Sequence, residues 1–338
     1  MRLRVIRFQP LSAIFFMECF VSQVFYSSKP RLCLKAFRAT STIRKIHIAR
    51  TVEDVRKFRS SIGLSKLGFV PTMGALHGGH ISLVHRAVKE CDIVAASIFV
   101  NPTQFSVGED LDKYPRTFDK DVQMLEAAGV DFVFAPIVSE IYRNNVLCHI
   151  EPSDFSLIHE GKARPDFFRG VATIVCKLFN IMQPNLSYFG QKDISQCILI
   201  KKMIEDLNMP GEIRVCETLR EEDGLAMSSR NTYLTPAERT VANILYRALS
   251  SARVYCEARD GETLSKEDLV AIVERVLASE PMVSRVEYVS VASYTNMKEL
   301  EKITLDTGAV ISSAVRVGSV RLIDNVLFGA ARKNILDR

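Results

Sequence analysis

The sequence predicts an α/β protein: a Rossmann-like layer built on a parallel sheet, followed by a smaller α+β part. Three observations carry this reading. From Lys66 onward, short strand-like runs alternate with helical patterns of ten or more residues, the signature of βαβ units. One run, 92–100 (DIVAASIFV), is continuously apolar and β-branched, as a strand covered on both faces must be. Beyond about Thr218 the alternation stops, and two amphipathic helical patterns are followed by three strand-like runs.

Taken in order, the first strand is expected over 67–71, followed by Thr-Met-Gly and a helix over 79–90. After the strand at 92–100, residues 117–128 carry a helical pattern closed by Gly129, the residue type that most readily turns left-handed at a helix end. The next strand is 131–135 (DFVFA). A polar stretch then precedes a helix at 171–182, a strand at 186–189 ending on Gly190, a helix at 194–207 and a strand at 212–216. Right-handed crossovers make this a doubly wound layer. The second part takes helices over 236–257 and 266–279 and strands over 286–292, 309–317 and 320–326. A chain of 338 residues is long enough for two domains, and the boundaries are set at 46–217 and 218–338 behind a leader of 45 residues.

The net charge of +5 invites a polyanion-binding reading until it is located. Of the 44 Lys and Arg, ten lie in residues 1–50 against one acid, Glu18, which leaves 34 basic and 38 acidic side chains and a net of −4. The body is mildly acidic, so neither nucleic acid nor a membrane surface is an expected partner. The basic, hydroxyl-bearing leader has the composition of a transit peptide, mitochondrial in the first instance; a weakly constrained extension on a cytoplasmic protein is the alternative. Eight scattered cysteines form no C-x-x-C and read as reduced, mostly buried small hydrophobes.

The sharpest motif is the segment PTMGALHGGH at 71–80, between the first strand and the first helix. Gly74, Gly78 and Gly79 allow tight turns and close approach, and a helix N-terminus offers free N–H groups to phosphate. His77 and His80 are three residues apart, so both imidazoles can face that site and donate to charge developing on a phosphate. Two surface histidines with incidental glycines are the bland reading, which the strand-to-helix context disfavours. Asn101 and Gln104 follow the 92–100 strand, at the carboxyl end where α/β sheets bind ligands, although Asn-Pro is also a plain turn former. Gly190, Gln191, Lys192 and Asp193, with Gln196, follow the 186–189 strand; Asp193 could simply cap the next helix. Met227, Ser228, Ser229 and Arg230 offer two hydroxyls and a guanidinium that can clamp phosphates.

Together PTMGALHGGH, IFVNPTQF, DLDKYPRT, FRGVATIVCKLFNIMQP, FGQKD with Gln196, DGLAMSSRNTYLT and RLIDN resemble the pantothenate synthetase (pantoate–β-alanine ligase) family, in the family's motif order from about Ile46 to Phe328. The resemblance implies a nucleotidyltransferase domain related to class I aminoacyl-tRNA synthetases, a C-terminal lid domain and a homodimer. It implies ATP, pantoate and β-alanine as substrates, with Mg2+. Pantoate carboxylate would attack the α-phosphorus of ATP and release pyrophosphate, and β-alanine would then displace AMP. By the same resemblance, Met73, Gly74, Ala75, Leu76, His77, Gly78, Gly79 and His80 form the first ATP loop, with His80 in the position of the proton donor. Gly190, Gln191, Lys192 and Asp193 form the second, with Lys192 on phosphate. Leu219 lies beside adenine, and Met227, Ser228, Ser229 and Arg230 form a phosphate lid. Gln104 would touch pantoate and β-alanine, Gln196 pantoate, and Asp121 the magnesium site. His77, His80, Lys192 and Arg230 are the expected catalytic set. The chain departs from the family in having Gly78 in place of an acid and Gln191 in place of Glu. The rival is another nucleotidyltransferase with the same histidine pair, against which Gln104 and Gln196 argue.

Overall fold

The computed structural model describes residues 45–336 except Val107, Asn145 and Asp260, all within one unit, Thr42–Arg338. The leader expectation, apart from residue 45, lies outside the described residues. The chain begins with β1 (His47–Ala49), α1 (Val52–Ser61), β2 (Leu67–Thr72), α2 (Gly78–Glu90) and β3 (Ile93–Ile98). It continues through α3 (Phe118–Ala127), β4 (Phe132–Phe134), α4 (Val138–Ile141), α5 (His159–Ala163), α6 (Phe167–Met182), β5 (Leu186–Gly190), α7 (Ile194–Asp206) and β6 (Glu212–Cys216). The six strands pair in parallel in the order β1-β4-β3-β2-β5-β6. The order reverses between β2 and β5. In an open α/β sheet the crevice outside the carboxyl ends of the strands at such a point is where ligands bind.

The sheet is covered on both faces. Phe69, Phe132 and Phe134 pack with α1, α6 and α7 on one side, while Val70, Val94 and Val133 pack with α2 and α3 on the other. This double cover explains the uninterrupted apolar runs of the strands.

The remainder comprises α8 (Pro236–Val241), α9 (Ile244–Glu257), β7 (Leu264–Ser265), α10 (Lys266–Ala278), β8 (Val283–Ala292), β9 (Lys302–Ile303), β10 (Ala309–Val317), β11 (Val320–Phe328) and α11 (Ala330–Leu336). The long strands form an antiparallel sheet, β11-β10-β8, whose apolar face packs against α9 and α10 in a core of its own around Leu249, Leu269 and Leu277. Gly318, at φ +56°, sits in the two-residue turn that joins β10 to β11.

Four differences from the sequence reading have physical causes. The three residues of β1 are too few to show a period, and their place beside β4 is a long-range pairing. The helix α1 is capped by Thr51, whose hydroxyl accepts from the Asp54 N–H at 3.1 Å, but its mixed face carries little apolar signal. The helix α6 starts at Phe167, four residues before the expected 171, directly after Asp166 in a left-handed conformation, and its added first turn buries Phe168 and Gly170. The helix expected over 236–257 is interrupted at Ala242 and Asn243, where the Asn243 amide donates to the Asp223 carbonyl at 3.2 Å. Of the six described cysteines, all free, Cys91, Cys197, Cys216 and Cys256 are buried.

Candidate active site

The loop between β2 and α2 is shaped from outside. Gly74 and Ala75 both take positive φ, +80° and +51°. The buried carboxylate of Asp121, from α3, accepts from the Ala75 N–H at 2.9 Å and the Leu76 N–H at 2.8 Å. The Thr117 hydroxyl donates to it as well, at 3.1 Å. A Cβ at Gly74 would stand 3.0 Å from this carboxylate, so glycine lets the turn close.

The turn delivers His77 as the N-cap of α2 and His80 as its third residue. Two imidazoles here make the reciprocal cap that Ser and Glu usually make: His77 Nδ1 accepts from the Gly79 N–H at 3.1 Å, and His80 Nδ1 accepts from the His77 N–H at 3.3 Å. Because each Nδ1 is an acceptor, a neutral ring carries its proton on Nε2. The ring centroids are 4.1 Å apart. Burial is the largest cause lowering both imidazoles, His77 to about 4 and His80 to about 3, and the Lys192 ammonium adds to it. At neutral pH the pair is two oriented, uncharged N–H donors.

This has a measurable consequence. Between pH 6.5 and about 4 the unfolded chain binds protons that the folded imidazoles refuse, so stability falls as pH drops through that window. NMR titration of the ligand-free protein is expected to place both midpoints at or below about 4; a midpoint near 6.5 for either would refute the neutral pair.

The opposing wall comes from the short 3-10 turn Pro102–Gln104 and from α6. Buried Asn101 donates to Gln104 Oε1 at 3.0 Å and to the Gly170 carbonyl at 3.3 Å. From α6, Phe167, Val171, Ile174, Val175 and Leu178 turn one stripe into the cleft. Lys192 follows β5. Ser229 donates to the Ala75 carbonyl at 2.9 Å, and Arg230 makes a fork to Asp110 with both bonds at 2.8 Å.

A cavity of about 230 Å³ gathers these groups. Met73, His77, Gly79 and His80 line it, as do Gln104, Gly190, Lys192, Asp193 and Gln196, and then Leu219, Met227, Ser228, Ser229 and Arg230. It opens past Arg164, Lys192, Asp193, Ser228 and Arg230 into a wider chamber of about 520 Å³.

Five expected nucleotide-contact residues stand off the cavity wall. Leu76 is buried in the core under α2, while Gly74 and Ala75 form the turn behind it. Gly78 is the first residue of α2; a Cβ there would lie 3.2 Å from Met227 Sδ and 3.4 Å from Leu219 Cδ2. Gln191 points the other way, buried, with its Nε2 donating to Asn325 Oδ1 at 3.0 Å. The replacement of Glu by Gln there bears on that contact rather than on a phosphate.

Asp121 is likewise corrected: its oxygens are taken by two backbone N–H groups and a hydroxyl, so it holds the loop rather than a metal. Among the described residues no three His, Cys, Asp or Glu side chains are grouped to hold one. The residues present do not fit a resident magnesium, and Mg2+ arriving on the phosphates of ATP would belong to the substrate.

Two residues absent from the sequence reading are central here. Arg164 forks onto Glu109, both bonds 2.7 Å, donates to the Gln104 carbonyl at 3.1 Å and stacks 3.8 Å over Phe167. Tyr114 is buried beneath Arg230, with the guanidinium 5.6 Å from its ring centroid. Both lie in polar loops without a period, so only the DLDKYPRT resemblance pointed near Tyr114.

Comparison with known proteins bears on the same residues. The family model described as pantoate-beta-alanine ligase matches residues 47–327. A pantothenate synthetase of Chloroflexus aurantiacus is 50% identical over 282 residues, covering 83% of this chain and 97% of its own. One from Thermodesulfovibrio yellowstonii is 43% identical over 287 residues, covering 83% and 98%. Among solved structures, pantothenate synthetase from Thermus thermophilus aligns with a TM-score of 0.76 at 39% identity, over 83% of this chain and 99% of that one. A pantoate-beta-alanine ligase from Francisella tularensis, complexed with beta-gamma ATP and beta-alanine, aligns with a TM-score of 0.67 at 38% identity, over 83% and 97%. Residues 1–45 lie outside the matched segment, and none of the described helices is long and apolar enough to cross a membrane.

Proposed function

Since the chain belongs to the pantoate–β-alanine ligase family and is a ligase of pantothenate synthesis, we propose that it joins pantoate to β-alanine through a pantoyl adenylate, with ATP as the activating substrate. One observation carries the reading: the paired imidazoles at the α2 N-terminus, their Nδ1 atoms spent on backbone N–H groups, line one cavity with Lys192, Arg230, Gln104 and Gln196.

The first step makes a bond between a pantoate carboxylate oxygen and the α-phosphorus and breaks the bond from that phosphorus to the bridging oxygen, expelling pyrophosphate. The carboxylate is already ionised at neutral pH, so no protein nucleophile is required. What the step requires is alignment and relief of charge on the phosphoryl oxygens. His77 and His80 would donate from Nε2, Lys192 would supply a point charge, and Arg230 would exchange part of its fork on Asp110 for phosphate. The pyrophosphate would leave toward the wider chamber, whose mouth Arg230 and Lys192 share.

Gln104 and Gln196 would bind the hydroxyl and carboxylate groups of pantoate, and the α6 stripe suits its dimethyl carbon. The same stripe excludes water from the mixed anhydride. In the second step the β-alanine nitrogen bonds to the acyl carbon and loses a proton, and the acyl–phosphate C–O bond breaks to free AMP. The part after 218 would act as the lid. For compartment, the bacterial relatives fit the cytoplasmic alternative better than the mitochondrial expectation, and a fluorescent fusion of residues 1–45 distinguishes the two.

With Mg-ATP, the full chain is expected to release pyrophosphate on addition of pantoate alone, and AMP and pantothenate only when β-alanine is present as well. Pyrophosphate release that ignores pantoate would overturn the reading.

A further inference from the structure

The segment RLIDN, which forms the middle of β11, ends in two buried polar side chains, Asp324 and Asn325, 4% and 1% exposed. Neither lines the cavity of the two histidines. Buried polar groups have to be partnered, and the partners of these two are the loops of the candidate nucleotide site.

Asn325 Nδ2 donates to the main-chain carbonyls of Gln191 at 2.9 Å and Lys192 at 3.0 Å. Its Oδ1 accepts from Gln191 Nε2 at 3.0 Å. Both N–H groups of the amide are thus spent on the short turn that carries Lys192, a turn with no side-chain cap at its own start.

Asp324, pointing to the other side of the strand, accepts both guanidinium arms of Arg220, at 2.6 Å and 3.0 Å. Arg220 lies 3.7 Å from the Tyr246 ring centroid, donates to the Gly224 carbonyl at 3.1 Å and pairs with Ala226 across a turn. The Met227 N–H donates to the Leu219 carbonyl at 3.0 Å just outside that pair. Leu219 and Met227 both line the cavity.

We propose that Asp324 and Asn325 are positioning residues of the adenylation step: Asn325 aims Lys192 through its main chain, and Asp324, acting through Arg220, sets the hairpin that presents Leu219 and Met227. The proposal rests on the functional reading above. Lysine is a point charge on a flexible stem, so its aim depends on where the root of that stem is held. The geometry also gives Gln191 a reason to be an amide, because a carboxylate there would set oxygen against Asn325 Oδ1.

The test is a double-mutant cycle in the full chain, read as single-turnover pyrophosphate release from ATP and pantoate. Asn325→Ala is expected to slow that step about ten- to a hundredfold, the scale of a misplacement of about 1 Å, and to leave KM for β-alanine unchanged. In a Lys192→Ala background the same substitution is expected to cost little more, because no lysine is left to be aimed. If Asn325→Ala does not fold, Asn325→Ser, which keeps one donor, enters the same cycle. Asp324→Asn is expected to raise KM for ATP several-fold without changing KM for β-alanine. Losses that multiply in the double mutant overturn the role of Asn325, and an unchanged KM for ATP overturns that of Asp324. A wild-type protein without pantoate-dependent pyrophosphate release overturns the functional reading instead, so the two failures are distinguishable.

Discussion

Replacing His80 or Lys192 by alanine is expected to slow pyrophosphate release from ATP and pantoate by about two to four orders of magnitude, the range for losing a donor aimed at developing charge. The two residues act differently, and the variants can tell them apart. His80 is set deep in the cleft with its Nδ1 bonded to a backbone N–H, so it offers one uncharged Nε2–H in a fixed direction. His80→Gln places an amide N–H near that position and should recover part of the loss. A glutamine variant as inactive as the alanine one would mean that a proton, rather than a hydrogen bond, is passed. Lys192→Ala removes a full charge, so its effect should be on the step and on KM for ATP together. Near-normal single-turnover rates in either alanine variant would remove that residue from the chemistry.

Gly170→Ala is expected to damage both the fold and the acceptor side of the site. A Cβ at this position would fall inside the contact distance of the Thr103 carbonyl and lie 2.8 Å from the Gln104 N–H, backbone atoms with nowhere to move. Here α6 presses directly on the turn that carries Gln104, and the Gly170 carbonyl is held by Asn101. Overpacking of this kind costs about 1–3 kcal/mol, and the displacement of Gln104 that relieves it is worth up to about a hundredfold in rate. Thermal melting and steady-state kinetics check the two parts. The loss should fall on pantoate turnover and KM while KM for ATP stays close to wild type, since the atoms displaced belong to the turn after β3 and not to the nucleotide loops after β2 and β5. A variant with unchanged melting temperature and unchanged pantoate kinetics would show that the helix can shift away without moving Gln104.

Much of this site could be read along the chain. The β2–α2 segment holds its glycines and both histidines within ten residues, so spacing alone put two imidazoles at a helix start. The run at 92–100 announced itself because a strand buried on both faces leaves little room for polar positions. What escaped was non-local or aperiodic. The three residues of β1 needed β4 beside them, and Arg164 became part of the site only by forking onto Glu109, 55 positions earlier in the chain. Asp121 shows how neighbours decide a residue's work: the resemblance set it at a magnesium site, and in space it is a buried acceptor for two backbone N–H groups.

By itself the sequence determined the α/β class, the order of the main strands and helices and most of the polar residues that line the cavity, because periodicity and short motifs are local properties. It also located the excess positive charge in the first fifty residues and so removed the body from consideration as a polyanion binder. Tertiary structure alone decided which of those residues face one another and in what protonation state. The depressed imidazoles, the outward turn of Gln191 and the hold of Asn325 on the Lys192 loop all come from burial and from partners more than a hundred residues away. Desolvation and long-range hydrogen bonding leave no period in a chain, and they turn a set of polar residues into a site with a direction.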